Sequence, residues 1–181
     1  MEILTYPASE VPAPLHIQRL SFYDQDRAVI VHDPKLRPTS MFFLIDSKVL
    51  AALDILSKII VHNGERFAAS GLSRVIVDPN ERRKGYGTRL VAAAGDLISA
   101  SGADLGIFTC DHPLQRFYER CGWQILLGAV VMGGTVRRPL FSDELKKVTL
   151  ARFFTSKARL HAHAFQRCHI ALYPGDIDRL W

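Results

Sequence analysis

Two glycines set in a run of cations are the residues of this chain best suited to hold a phosphate. Arg82-Arg83-Lys84-Gly85-Tyr86-Gly87-Thr88 follows the β-branched stretch Leu72-Ser73-Arg74-Val75-Ile76-Val77 and the turn-forming Asp78-Pro79-Asn80. From Thr88 onward the apolar residues Leu90, Val91, Ala94, Leu97 and Ile98 recur at helical spacing. Gly85 and Gly87 tolerate positive φ and leave room for a ligand against bare backbone. The first N–H groups of the following helix have no partner inside it, and the helix dipole adds positive potential there. A strand, a basic glycine loop and a helix N-terminus in that order make an anion site, and phosphate is the usual guest. The pattern Gly-x-x-x-x-Gly-Lys-Ser/Thr cannot be drawn through this loop, and Gly-x-Gly-x-x-Gly fails at Leu90.

Other reactive residue types read more plainly. Cys110 and Cys121 have no local histidine partner, and Cys121 falls on an apolar helical face, so both read as packed thiols and not as an acyl-cysteine route. His161 and His163 are two apart, on no common helix face and without a neighbouring carboxylate, so no metal site is expected. Leu145 to Arg167 holds six Lys/Arg and no acid, with aromatics directed to the core. It reads as a solvated face, so neither a nucleic-acid partner nor a membrane is expected.

The elements that must position the loop can be read on either side of it. Ile3 to Tyr6 reads as an edge strand and Leu15 to Phe22 as a short helix. Met41 to Ile45 reads as a strand, Asp46-Ser47 as a tight turn and Val49 to Ile60 as a long strand. Asn63-Gly64 is a hairpin signal returning the chain into the strand that ends at Val77. Leu105 to Thr109 reads as a strand. Asp111 is placed to cap a helix carrying Leu114, Phe117, Tyr118 and Cys121 on one face, with Pro113 in its first turn and Gly122 at its end. Beyond Trp123, Gln124 to Met132 reads as a strand turned by Gly133-Gly134, and Lys147 to Phe154 as another. Thr155 or Ser156 caps a short helix reaching Arg167, and Ile170 to Tyr173 closes the series.

The 181 residues are expected to form a single domain, 1–181, with an extended C-terminal segment from about residue 124. The chain is 48% hydrophobic with no apolar run of membrane-spanning length. Three cysteines without paired spacing and an N-terminus lacking signal-peptide regions point to a reducing, cytoplasmic setting. The net charge of +5 suits an anionic cofactor and does not demand nucleic acid.

Arg82, Gly85 and Gly87 after a strand ending Val-x-Pro match the Arg/Gln-x-x-Gly-x-Gly/Ala loop of the GNAT acetyltransferase superfamily, and Phe117-Tyr118 to Gly122-Trp123 matches its later helix. Over about residues 40 to 130 the chain resembles that superfamily. The resemblance implies an α/β fold, a mixed and largely antiparallel central sheet with helices on both faces. It implies acetyl-CoA as acetyl donor and N-acetyl transfer to a small-molecule amine by direct attack in a ternary complex, and it leaves a homodimer open. It puts the pyrophosphate on backbone N–H groups around Arg83 to Thr88, with Arg82, Arg83, Lys84, Tyr86 and Arg89 nearby. It puts the pantetheine arm along the backbone of Val75 and Val77, and Asp111 where relatives often carry a pantetheine-binding asparagine. An ionised Asp accepts but cannot donate, so capping is the expected job of Asp111.

A Lys-like amine has a pKa of about 10.4, so its neutral form at pH 7 costs roughly 4–5 kcal/mol. By the resemblance Tyr118 is the proton donor to the leaving thiolate, and Ser73 stands where relatives often have a glutamate base; Ser73 can orient a water. Asp54, His62, Asp24 and Asp26 are candidate distal bases, and Asp24 and Asp26 fall in the loop that borders the acceptor in relatives. Gly122-Trp123-Gln124-Ile125, Gly175-Asp176 and Trp181 also resemble bacterial aminoglycoside 2′-N-acetyltransferases. That likeness implies an acceptor surface including Asp176, Asp178 and Trp181. The rival expectation is a non-catalytic acyl-CoA-binding sensor or regulatory module, kept open by Ser73.

Overall fold

Two turns with paired positive φ shape the front half of the chain. Asp46 (φ 48°) and Ser47 (φ 62°) join β2, Thr39–Ile45, to β3, Lys48–His62. Asn63 (φ 49°) and Gly64 (φ 82°) then return the chain into β4, Glu65–Val77. Such two-residue loops match the right-handed twist of hairpin strands, which is why both short polar pairs work as turns. In this computed structural model, which describes residues 1–23 and 31–181, β1 (Glu2–Pro7) joins the edge of β2 antiparallel. The main sheet continues through β5 (Leu105–Asp111), β9 (Lys147–Phe153) and the two-residue β6 (Gln124–Ile125), in the order β1-β2-β3-β4-β5-β9-β6. Its one parallel pairing is β4 with β5; the others are antiparallel.

Alternation along β2 sends successive side chains to opposite faces. Met41 and Phe43 enter the core containing Leu90, Val91, Ala94 and Ile98 of α2, Tyr86–Ala100. Phe42 and Leu44 pack with Leu15 of α1, Ala13–Leu20, on the other face. Helices thus cover both faces of a largely antiparallel sheet, as expected. No helix among the described residues is long and apolar enough to cross a membrane.

The C-terminal segment departs from the expected arrangement. Gln124 to Met132 is not one strand. After β6 the chain turns and starts β7, Val130–Thr135, in a second sheet ordered β10-β7-β8 with β8 at Arg138–Phe141 and β10 at His169–Ala171. Gly133-Gly134 is not a turn but part of β7. A Cβ on Gly133 would lie 2.0 Å from Arg179 O, so the missing side chain lets the chain end cross this strand, and Gly134 N–H donates to Arg179 O at 2.7 Å. Thr155 caps α4, Ser156–Leu160, by accepting from Ala158 N–H, as expected; the helix stops at Leu160 and a 3₁₀ turn follows at Ala162–Phe165.

Candidate active site

β4 and β5 pair at only two positions, Ala69 with Leu105 and Ser70 with Gly106, and then separate. Beyond that point the β5-facing edge of β4 has no strand partner. Asp78 N–H donates to Leu50 O at 2.9 Å on the β3 side. Backbone alternation then turns the N–H and C=O groups of Val77 and Val75 toward the open edge. The β3–β4 register shifts between Ala52 and Asp54, opposite Arg74, which takes φ 49°. A bulge of this kind re-aims the strand beside a cleft. Half-buried Ser73 sits across from Asp54 in the register.

The glycine loop reaches the mouth of this cleft. Asp78 caps a 3₁₀ turn over Pro79–Glu81 by accepting from Asn80 N–H at 2.9 Å, and Arg83 (φ 66°) and Gly85 (φ 84°) turn the chain into α2. No side chain caps α2, so the N–H groups of Tyr86, Gly87 and half-buried Thr88 stay open to a ligand. A Cβ on Gly85 would meet nothing within 4 Å, whereas one on Gly87 would lie 2.9 Å from Val77 Cγ2. The two glycines therefore do different work: Gly85 supplies the left-handed backbone, and Gly87 packs the helix start onto β4. Arg82, Arg83 and Lys84 are exposed, and Lys84 is tied to Glu81 at 2.6 Å. The ring of Tyr86 packs against Phe43 at 5.4 Å, so only its backbone faces the loop. Open glycine backbone, uncapped N–H groups and exposed cations fit an anionic group such as the pyrophosphate of CoA.

Tyr118 lies in α3, Gln115–Arg120, with its ring held edge-on between Phe108 and Phe117 at 4.8 Å each. It is buried, and burial pushes its phenol well above the ordinary tyrosine range. Its hydroxyl forms no hydrogen bond to the described residues. Burial also raises Cys110 to about 11 and lifts Cys121, so both thiols stay protonated, as their packed reading requires. Trp181 occupies the fork where β4 and β5 part. Its indole N–H donates to Ile107 O at 2.9 Å, its main-chain O accepts from Thr109 N–H at 3.3 Å, and its ring lies so close to Gly71 that a Cβ there would be 2.5 Å from Nε1.

Several expected site residues sit elsewhere. Asp111 does not cap the helix: its carboxylate crosses to its strand partner Lys147 at 2.7 Å. Cross-strand pairing wins because the acid ends β5 directly opposite a cation. Asp176 is exposed and paired with Arg138 at 3.0 Å. His62 lies near the hairpin end of β3, bonded to Ala164 O at 2.8 Å and stacked on Phe165, so it is structural. Asp24 and Asp26 lie outside the described residues.

Asp54 is not an available base either. It is fully buried, and its oxygens take Arg19 Nη1 and Nη2 at 2.7 and 2.6 Å, Ser40 Oγ at 2.6 Å and His32 Nε2 at 2.9 Å. These donors overcome its desolvation and hold the carboxyl far below its ordinary range. His32 Nδ1 in turn meets Asp178 Oδ1 at 2.5 Å. Burial disfavours the imidazolium, but the two carboxylates outweigh it and raise His32 from 6.5 to about 9. The network of Arg19, His32, Ser40 and Asp178 was not legible as a site. One signal did point to it: a lone Asp in the apolar run Val49 to Leu56 requires a buried cation. A cleft of about 580 Å³ opens beside the network on the α1 face. Its walls include His16, Arg19, His32, Arg37, Ser40 and Phe42, and its described lining holds no carboxylate.

Residues 42–125 match the family model described as an acetyltransferase (GNAT) domain. No curated protein matches the sequence. The fold is similar to that of an aminoglycoside 6′-N-acetyltransferase complexed with coenzyme A, at 13% identity over 86% of this chain and 98% of that one, with a TM-score of 0.58. It is similar to an acyl-CoA N-acyltransferase from Pseudomonas aeruginosa, at 15% identity over 83% of this chain and 98% of that one, TM-score 0.54. It also resembles a conserved protein from Enterococcus faecalis V583, at 16% identity over 70% of this chain, TM-score 0.53; this chain spans 33% of that protein's length. The forked β4–β5 edge and the glycine loop at the start of α2 both lie within residues 42–125, the stretch that matches the GNAT acetyltransferase domain model.

Proposed function

We propose that this protein transfers the acetyl group of acetyl-CoA to an amine of a small molecule by direct attack in a ternary complex. The observation that carries the reading is the unpaired edge of β4 at Val75 and Val77 beside the uncapped start of α2. When bound, acetyl-CoA supplies the thioester. The chain's residues do the rest. Backbone N–H groups from Arg83 to Thr88 hold phosphate, with Arg82, Arg83 and Lys84 adding charge. Val75 and Val77 pair with the pantetheine arm, and Asp111 borders it with an acceptor-only carboxylate. The Tyr118 hydroxyl, held protonated by its burial, donates to the sulfur as the thiolate leaves.

The acceptor enters from the α1 face, where Trp181 forms one wall of the fork and the cleft ends against Arg19, whose Nη2 reaches Arg74 O at 3.3 Å. Ser73 beside the bulge orients a water for proton removal, and the site selects the neutral amine. The likeness around Trp181 supports an aminoglycoside acceptor. The basic cleft lining favours an amine bearing few positive charges, because a polycation there meets Arg37 with no described carboxylate to balance it. A panel of amines with and without aminoglycosides, followed by thiol release from acetyl-CoA, decides between them.

A second reading, a non-catalytic acyl-CoA-binding module, is favoured by one observation: Asp54 has all its acceptor positions filled and His32 is protonated at neutral pH, so neither serves as base. Acetyl-CoA binding without thiol release across the whole panel would establish that reading.

A further inference from the structure

Asp178 and His32 are 146 residues apart in sequence and in contact in the fold. His32 is buried, with one ring nitrogen on Asp178 Oδ1 at 2.5 Å and the other on Asp54 Oδ2 at 2.9 Å. The second Asp178 oxygen accepts from Asp33 N–H at 2.8 Å. On its far side Asp54 is held by Arg19 of α1 and Ser40 of β2. Arg19 and Tyr23 both reach Arg74 O, at the β4 bulge, at 3.3 Å. One hydrogen-bonded chain therefore runs from the bulge through Arg19, Asp54 and His32 to Asp178, and residues 179–181 lead from there into the fork, where Trp181 binds Ile107 O and Thr109 N–H.

A neutral imidazole cannot complete this chain. It has one N–H and one lone pair, so a carboxylate oxygen of Asp54 or Asp178 would face that lone pair at hydrogen-bond distance, a repulsive buried contact. Both nitrogens must donate, and the cation is what the geometry requires.

We propose that the His32 imidazolium is a positioning residue for the acceptor side of the fork: by clasping Asp178 it holds residues 178–181 against the α1 face and sets where Trp181 stands relative to the bulge. This rests on the reading of the fork as the acetyl-transfer site. Among the described residues, the groups facing His32 are Asp54 from β3 and Asp178 from the chain end, with Arg19 and Ser40 behind Asp54. The folded-state value of about 9 lies above the ordinary 6.5, so the clasp's contribution is complete below 6.5 and lost as pH rises through 9.

Amide exchange tests this without any substrate, since Gly134 N–H donates to Arg179 O and Thr109 N–H to Trp181 O. Protection of these two amides, corrected for intrinsic exchange, should fall by up to about tenfold per pH unit between 6.5 and 9 in the wild type and level off above 9. His32→Gln, which cannot donate to both carboxylates, should show the loss already at pH 7.5. Asp178→Asn rebuilds the contact without charge, its amide donating to neutral His32 Nδ1 and its carbonyl accepting from Asp33 N–H. It should keep the protection and lose the pH dependence. For the best amine of the panel, His32→Gln should raise acceptor KM at least tenfold with acetyl-CoA Kd unchanged. Wild-type protection in folded His32→Gln, or exposure of both amides in Asp178→Asn at pH 7.5, overturns the clasp. Lost protection with unchanged acceptor KM overturns the positioning role. Absence of thiol release with any amine sinks the transfer reading alone, and the exchange result stands apart from it.

Discussion

Replacing Tyr118 by Phe removes a single oxygen from a well-packed position, and the structure sets both sides of the outcome. The hydroxyl forms no hydrogen bond to the described residues, and the ring contacts with Phe108 and Phe117 survive the change. Stability should therefore move by no more than about 0.5 kcal/mol, the scale of a substitution that strands no buried partner. The chemical step should move far more. An ordinary tyrosine near pKa 10 is already a weaker acid than a cysteine-like thiol near 8.5, so full proton transfer is uphill by about 2 kcal/mol. Burial raises Tyr118 further and makes full transfer less favourable still. Hydrogen-bond donation to the developing thiolate is then the main contribution. One such donor in a dry site is worth about 10²–10³ in kcat. Stopped-flow detection of free thiol, with melting curves and acetyl-CoA calorimetry on the same samples, measures all three quantities. An unchanged single-turnover rate in a folded, acetyl-CoA-binding Tyr118→Phe protein refutes the donor role.

The two loop glycines should separate binding from packing. Gly85→Ala, at φ 84° with open space, should weaken acetyl-CoA binding by calorimetry while costing about 1 kcal/mol of stability. Gly87→Ala, at 2.9 Å from Val77 Cγ2, should cost about 1–3 kcal/mol by overpacking, and the reverse order of stabilities contradicts these assignments. Asp54→Ala strands the buried Arg19 and should cost about 3–5 kcal/mol in chemical denaturation. Because the folded Asp54 is held below its unfolded value near 3.9, its contribution is complete above that value and is lost as pH falls toward the folded one; the acid-unfolding midpoint of the variant should shift accordingly. Trp181→Ala empties the fork and should destabilise by about 3 kcal/mol. Trp181→Phe should recover most of that stability but not the bond to Ile107 O, which equilibrium unfolding of the pair will resolve.

By itself the sequence determined what depends on near neighbours. The Asp46-Ser47 and Asn63-Gly64 turns, the strand from Leu72 to Val77, the loop with Gly85 at its left-handed position and the helix after it are each written in a few consecutive residues. Their backbone angles and periodicities are local properties, so residue type and spacing carry them. The apolar face that carries Tyr118 was likewise legible from helical spacing, while the donor role of Tyr118 rests on the family resemblance. Tertiary structure decided whatever depends on a partner far along the chain. Gly133-Gly134 has the composition of a turn but forms a strand, because Arg179 and Leu180 cross it and leave no room for a Cβ. Asp111 has the position of a cap but pairs with Lys147, which only the β5–β9 register brings opposite. Asp54 read in sequence as a candidate distal base; that Arg19 and His32 share its carboxylate, and that His32 passes the contact on to Asp178, came only with the fold. A desolvated carboxylate must be satisfied wherever it is buried, yet which side chains arrive is fixed by the folding of distant segments onto one another.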